Sequence, residues 1–220
     1  MELVKFFILT FLPCLLFGAI NSPGDFQVWN SDKISIEVAN NIYLSGEAEF
    51  RFGNDAKSLY YKHFQTGFTF IRSKHVVVQT IYRQTYLRIN KKWRVQYNPY
   101  VDLILKTKLP KGWIISDRNR IFARFLGKTF PKHLLWIYRN RVEVIPPLRF
   151  GPNDASFYIA NEIFWQQTRS LDQNRAEAGF HIPFREKINF HLSYMLRSLK
   201  RLDNHWVHHN VVRIRFNLKF

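Results

Sequence analysis

The last stretch of the chain, Asn210 to Phe220, reads N-V-V-R-I-R-F-N-L-K-F. Val212, Ile214, Phe216, Leu218 and Phe220 take every second position, and Val211, Arg213, Arg215, Asn217 and Lys219 take the positions between them. Successive side chains of a strand point to opposite faces, whereas a helix would mix these two sets around its circumference. One face therefore has no polar side-chain atom, and the other carries cations. Such a strand closes either a transmembrane β-barrel, with its apolar face outward, or a soluble sandwich or lipocalin-like barrel.

The rest of the chain repeats the pattern. Leu44, Gly46, Ala48, Phe50 and Phe52 oppose Glu47, Glu49 and Arg51. Arg118, Arg120 and Arg124 share a face against Ile121, Ala123 and Phe125. Arg139, Arg141 and Glu143 oppose Trp136, Tyr138, Val142 and Val144. Glu162 opposes Ile159, Ile163 and Trp165, and Arg175 and Glu177 oppose Ala176, Ala178 and Phe180. A charge on a hydrocarbon-facing wall costs about 2–4 kcal/mol at the bilayer midplane, which gives this segregation an energetic cause. With Arg213 and Arg215, these charges are expected to form an Arg/Glu network that fills a polar lumen and pins strand register. The aromatics Tyr60, Tyr61, Trp93, Tyr97, Tyr100, Trp113, Trp136, Tyr138, Trp165 and Tyr194 are expected in girdles at the two interfaces.

Turn signals near Asn40, Gly53, Ser73, Asn90, Lys111, Lys128, Pro146, Ser170, Pro183 and Asp203 divide residues 22–220 into about eleven candidate strands. Bacterial single-chain barrels have an even number, so an antiparallel up-and-down transmembrane β-barrel of about ten or twelve strands is expected. Tight turns on the periplasmic side should alternate with longer outer loops near Asp55, Asn90, Lys128, Ser170 and Asp203.

Residues 1–21 look different. Lys5 is followed by the apolar run Phe6 to Ile20 and then by small or polar residues, the layout of a secretory signal peptide. The single cysteine, Cys14, lies inside it, so a mature chain starting near residue 22 has no disulfide. The net charge of +17 suits nucleic acid, an anionic membrane surface or acidic substrates, and export argues against the first. Lys128, Lys132, Lys200 and Arg201 fall in outer loops, where the phosphates of lipopolysaccharide would meet them.

Several short motifs are shared with a known set. They are Trp29, the E-x-E-x-R of Glu47, Glu49 and Arg51, the two R-N-R runs, Asn161–Phe164, Gln173–Gly179 and the aromatic terminus. With them the chain resembles the outer-membrane barrel family catalogued as domain of unknown function 2490. The resemblance implies a barrel and no established activity. In similar proteins the terminal aromatic strand, here Val212, Ile214, Phe216, Leu218 and Phe220, is the signal read by the barrel assembly machinery.

Two clusters bear on chemistry. His191 and Ser193 sit two apart on one strand face, where a base could activate a nucleophile. Outer-membrane phospholipases and lipid deacylases are similar here but use H-x-S-N, and Tyr194 replaces that Asn. His205, His208 and His209 lie in the last outer loop without metal-site spacing. The expectation is therefore a bacterial outer-membrane barrel without cofactor or metal. Its role is structural or interaction-based, or that of a narrow pore for small anionic solutes. A lipid hydrolase using His191 and Ser193 is the alternative.

Overall fold

The computed structural model describes residues 24–126, 134–201 and 203–220. The signal segment 1–21 with Cys14, and the loop cations Lys128 and Lys132, lie outside the described residues. The strands are β1 (Phe26–Ala39), β2 (Ile42–Gly53), β3 (Ser58–Ile71), β4 (Val76–Ile89), β5 (Lys92–Lys108) and β6 (Ile114–Leu126). They continue with β7 (Leu134–Ile145), the two-residue β8 (Arg149–Phe150), β9 (Ala155–Gln166), β10 (Ser170–Arg185), β11 (Ile188–Lys200) and β12 (Trp206–Lys219).

Each strand pairs with its sequence neighbour, except that β7 pairs directly with β9, and β12 returns to β1 to close a barrel. The short β8 pairs only with the start of β9. The wall therefore has eleven strands, not ten or twelve, and it is not antiparallel throughout. In a meander every step reverses direction, so an odd number leaves the first and last strands running the same way. The ring can then close only through a parallel pair. That seam runs in unbroken register from Phe26 opposite Asn210 to Ser35 opposite Lys219. It continues to the last residue, where the Phe220 amide donates to the Ser35 carbonyl and the Glu37 amide donates to the Phe220 carbonyl, both at 2.8 Å.

The rim carrying Phe220, called lower here, holds the connections at Asn40–Asn41, Arg72–His75, Leu109–Trp113, Pro146–Asp154 and Glu186–Lys187. The upper rim holds Asn54–Lys57, Asn90–Lys91, Gln167–Arg169 and Arg201–His205. The expected contrast of loop length is not seen among the described residues. Asn90–Lys91 is a two-residue turn with both residues at positive φ (48° and 63°), and the stretch from Pro146 to Asp154 is on the lower rim.

Alternation sorts the side chains by face. Outward positions carry Ile34, Phe64, Val101, Ile121, Trp136, Ile159, Trp165 and Leu192, all more than a third exposed. Trp29 is the one tryptophan that points inward, 1% exposed, while the other five face out at 38% or more. Besides smaller polar pairs at Asn30–Asp32, Gln84–Tyr86 and Tyr194–Asn210, the outer face has a polar patch on β6, β7, β9 and β10. There the Asn140 side chain donates to Asp117 (2.5 Å) and to Asn119 (3.1 Å), and Tyr138 donates to Asn119 (2.5 Å). Asn161 and Asn174 exchange amide hydrogen bonds beside it (3.1 and 3.3 Å). These groups satisfy one another, the condition under which polar atoms persist next to an apolar medium.

Two inward glycines mark where neighbouring strands come closest. A Cβ on Gly67 of β3 would overlap the Thr80 carbonyl and Ile81 of β4, and one on Gly179 of β10 would overlap Leu192 and Ser193 of β11.

Candidate functional site

Inward charges occur on nearly every strand, and the alternation that places them there cannot be relieved by rotating a rigid strand. A carboxylate held inside needs paired hydrogen-bond donors, since each buried ion costs several kcal/mol of solvation. The barrel meets this need with carboxylates that each collect more than one donor. Glu162 on β9, 2% exposed, accepts from Arg118 and Arg139 through Oε1 (2.6 Å each) and from Arg175 through Oε2 (3.1 Å). Glu177 on β10 accepts from Arg141 (2.6 Å) and Arg213 (3.1 Å), and from the hydroxyls of Tyr158 (2.8 Å) and Ser193 (2.7 Å). Arg215 lies 3.5 Å from the same carboxylate and donates to Tyr158 at 2.9 Å.

Smaller nodes complete the lattice. Asp102 on β5 is fully buried and takes both arms of the Arg120 fork at 2.6 Å, the bidentate geometry that makes arginine–carboxylate pairs strong. Glu49 accepts from Arg51 at 2.6 Å and lies 3.8 Å from Arg213 across the parallel seam. Glu47 meets His63 at 3.2 Å, and Glu143 accepts from Arg141 at 2.9 Å. At the centre Trp29 is ringed by guanidinium groups, with Arg51 3.7 Å from its ring and Arg175, Arg197 and Arg213 between 5.0 and 5.6 Å. Arg–Trp faces of this kind stabilise the cation without a counter-ion. Met195 and Val211, both 0% exposed, pack beside Trp29.

Arg124 is the network residue without a carboxylate at contact distance among the described pairs; it faces a hollow toward the upper rim. That hollow, about 290 Å³, has eight arginines in its wall and Asp172 as its one carboxylate. Its floor is made by Arg51, Arg120, Arg139 and Arg175, whose carboxylate partners lie below it. Its upper wall adds Arg83, Arg124, Arg169 and Arg197.

Sequence reasoning missed several of these groups. Asp102 is the lone acid in Y-V-D-L-I-L, and Arg83 and Arg197 each share their strand with just one other cation, Arg88 and Lys200. Asp102 shares the phase of Asn98 and Arg197 that of Ser193, whereas Asp172 sits at the register shift between Leu171 and Gln173, where parity assigns no face. Tyr60, Tyr61 and Tyr100, expected in the girdles, point inward and line the cavity. The first two do so because pairing shifts between Arg51 and Phe52, so Arg51 faces Tyr61 while Phe52 faces Leu59. The bulge leaves Tyr60 as an extra residue, and its hydroxyl turns in to Gln27 at 2.8 Å.

His191 and Ser193 are both inward, but the structure does not couple them. Ser193 donates to Glu177, while His191 contacts His181 through the two Nδ1 atoms and Asn217 through Nε2 (2.8 Å). His208 and His209 point to opposite faces of β12, with His208 exposed and bonded to Ser198 and His209 fully buried. The strand alternation thus separates the histidine trio. In the closing strand Val211 is inward with Arg213 and Arg215, while Phe216 and Phe220 are exposed, 43% and 52%.

The family model described as "Protein of unknown function (DUF2490)" matches residues 26–208. No curated protein shows a match to the chain. Among solved structures, one titled "NanC porin structure in rhombohedral crystal form" is similar, with 12% sequence identity and a TM-score of 0.50. The superposition covers 92% of this chain and 100% of that one, a likeness of fold.

Proposed function

The chain belongs to the family of proteins of unknown function DUF2490, and from that premise we propose that it is an integral outer-membrane β-barrel of a Gram-negative-type cell, with a structural or interaction role. Its lumen is braced by ion pairs and shut to bulk solutes. Wall strands of 12 to 17 residues exceed the roughly 10 that a tilted strand needs to cross a bilayer. More than thirty large apolar side chains stand exposed among the described residues, which favours hydrocarbon over water around the wall. The outward aromatic end of β12 suits recognition by the assembly machinery. Lys200 and Arg201 at the upper rim suit the phosphates of lipopolysaccharide.

The observation that carries the closed lumen is the burial of its middle: Trp29, Asp102, Tyr158, Glu162, Met195 and Val211 are all at 2% exposure or below. A bulk pore would leave such groups wetted. The surplus of guanidinium groups favours a second reading, a narrow passage for small anions. Planar-bilayer recording on the refolded protein separates the two. Baseline current is expected; a small anion-selective conductance would transfer the assignment to the narrow passage, and a large unselective one would remove both. Membrane fractionation should place the protein, with heat-modifiable gel mobility, in the outer membrane; recovery in the soluble periplasm would overturn the reading.

A further inference from the structure

We propose that the arginine-walled cavity below the upper rim is a binding site for a compact polyanion, one bearing two or more phosphate or carboxylate groups. The proposal goes beyond the role assigned above and does not depend on what surrounds the outer wall. The hollow is partly open and holds about 290 Å³, room for about ten waters at ~30 Å³ each or for one small polyanion.

The geometry points to an anion for three reasons. First, the wall holds eight arginines and one carboxylate. The floor guanidiniums turn one side down to Glu49, Asp102 and Glu162, and these carboxylates are not in the cavity wall. Second, buried donors here meet no acceptor: Nε of Arg124, Nε of Arg139, and both Nε and Nη1 of Arg197. Arg139 is itself only 8% exposed. Buried polar groups are almost always hydrogen-bonded, so these four nitrogens mark three wall arginines whose donors the protein does not fully satisfy; Arg118, Arg213 and Arg215, outside the hollow, each have one unpaired Nε as well. A neutral acceptor would leave the like charges repelling one another in a poorly screened space, whereas an oxyanion supplies lone pairs and charge together.

Third, the donors are held in place before any ligand arrives. Arg120 lies 3.8 Å from the Tyr100 ring, and Arg139 and Arg175 lie 4.3 and 4.4 Å from the Phe164 ring. Guanidiniums fixed this way lose little freedom on binding, which favours affinity. Asp172 is the internal competitor. The cations acting on it are Arg124, Arg169 and Arg197, the same groups a ligand would use at the mouth.

Isothermal titration of the refolded full-length barrel in zwitterionic detergent tests this, with sodium pyrophosphate and citrate as separate probes. Saturable one-site binding of at least one probe is expected, with a change in Trp29 fluorescence because three of the cavity arginines surround that ring. Arg124→Gln and Arg197→Gln should each weaken it at least tenfold. Neither residue has a carboxylate partner among the described ion pairs, so both variants should keep the heat-modifiable mobility of the folded barrel. Asp172→Asn should tighten binding several-fold, and Arg215→Gln, which lies toward the lower rim, should leave it unchanged. Competition by phosphatidic acid vesicles but not phosphatidylcholine vesicles would identify a lipid headgroup as the source of the phosphate; lack of competition would identify a soluble anion. Absence of saturable binding of both probes at millimolar concentration to folded protein overturns the site. Equal losses in the Arg197 and Arg215 variants, or an Asp172 variant that binds no tighter, overturn it as well.

Discussion

Glu162 and Ser193 show what single residues contribute inside this barrel. Glu162 balances three guanidiniums at once, so Glu162→Gln leaves Arg118, Arg139 and Arg175 without their shared counter-charge. Removing one partner of a buried pair costs about 3–5 kcal/mol. Urea unfolding followed by tryptophan fluorescence should register that loss for Glu162→Gln. Arg118→Gln should cost nearer ~1 kcal/mol, because its side chain is 25% exposed and two other arginines still neutralise the carboxylate. Equal losses would show that Glu162 is not the hub of its group. Ser193→Ala removes one of several donors to Glu177 and should cost about 1 kcal/mol. Because the Ser193 hydroxyl hydrogen goes to Glu177 and not to His191, fatty-acid release from membranes should be the same for this variant and the parent protein. Release that disappears with the hydroxyl would restore the hydrolase.

Among the strands, the tightest constraints are at the inward glycines of β3 and β10. Gly67→Val and Gly179→Val each drive carbon atoms into a neighbouring backbone, and overpacking of this kind typically costs about 1–3 kcal/mol or more. Both should lower the yield of heat-modifiable barrel. Gly46→Ala serves as the contrast, since the nearest atom to its added carbon is an Ile34 methyl at an ordinary 3.8 Å. Strand positions were readable from the sequence because alternation is a local property: in Arg118–Phe125 each residue's face follows from its parity. Strand number was not readable in that way. Evenness is a habit of bacterial barrels and not a requirement of hydrogen bonding, and the ten-pair seam of β1 and β12 closes an odd ring without strain on either strand's own pattern. The bulge opposite Arg51 was equally hidden, because Tyr60 joins Tyr61 on the inner face only once β2 is paired with β3. Ion-pair partners were hidden for a related reason. Arg118 on β6 reaches Glu162 two strands away, and the stagger that brings them to 2.6 Å belongs to the closed ring and to no single segment.

For the whole molecule, the question that decides its setting is the medium around the wall. The same outward side chains would be a liability in water and a requirement in hydrocarbon, so one substitution can have opposite effects in the two. Ile121 is suited to this comparison. It is 56% exposed, near the middle of β6, and flanked on the same strand by the inward Arg120 and Phe122, so changing it leaves the ion-pair lattice intact. If the wall faces lipid, Ile121→Arg should lose about 2–4 kcal/mol of folding stability in phosphatidylcholine vesicles, the cost of a guanidinium at that depth. If the wall faces water, the same change removes an exposed apolar group and adds a charge, and stability should stay within about 0.5 kcal/mol of the parent while solubility rises. A paired measurement with Thr66→Arg, at another exposed outward position, would show whether the penalty belongs to the wall as a whole. Penalties at both positions that shrink as the substitution moves toward either rim would trace a hydrocarbon slab around the barrel, and a flat profile would remove the membrane from every role assigned here.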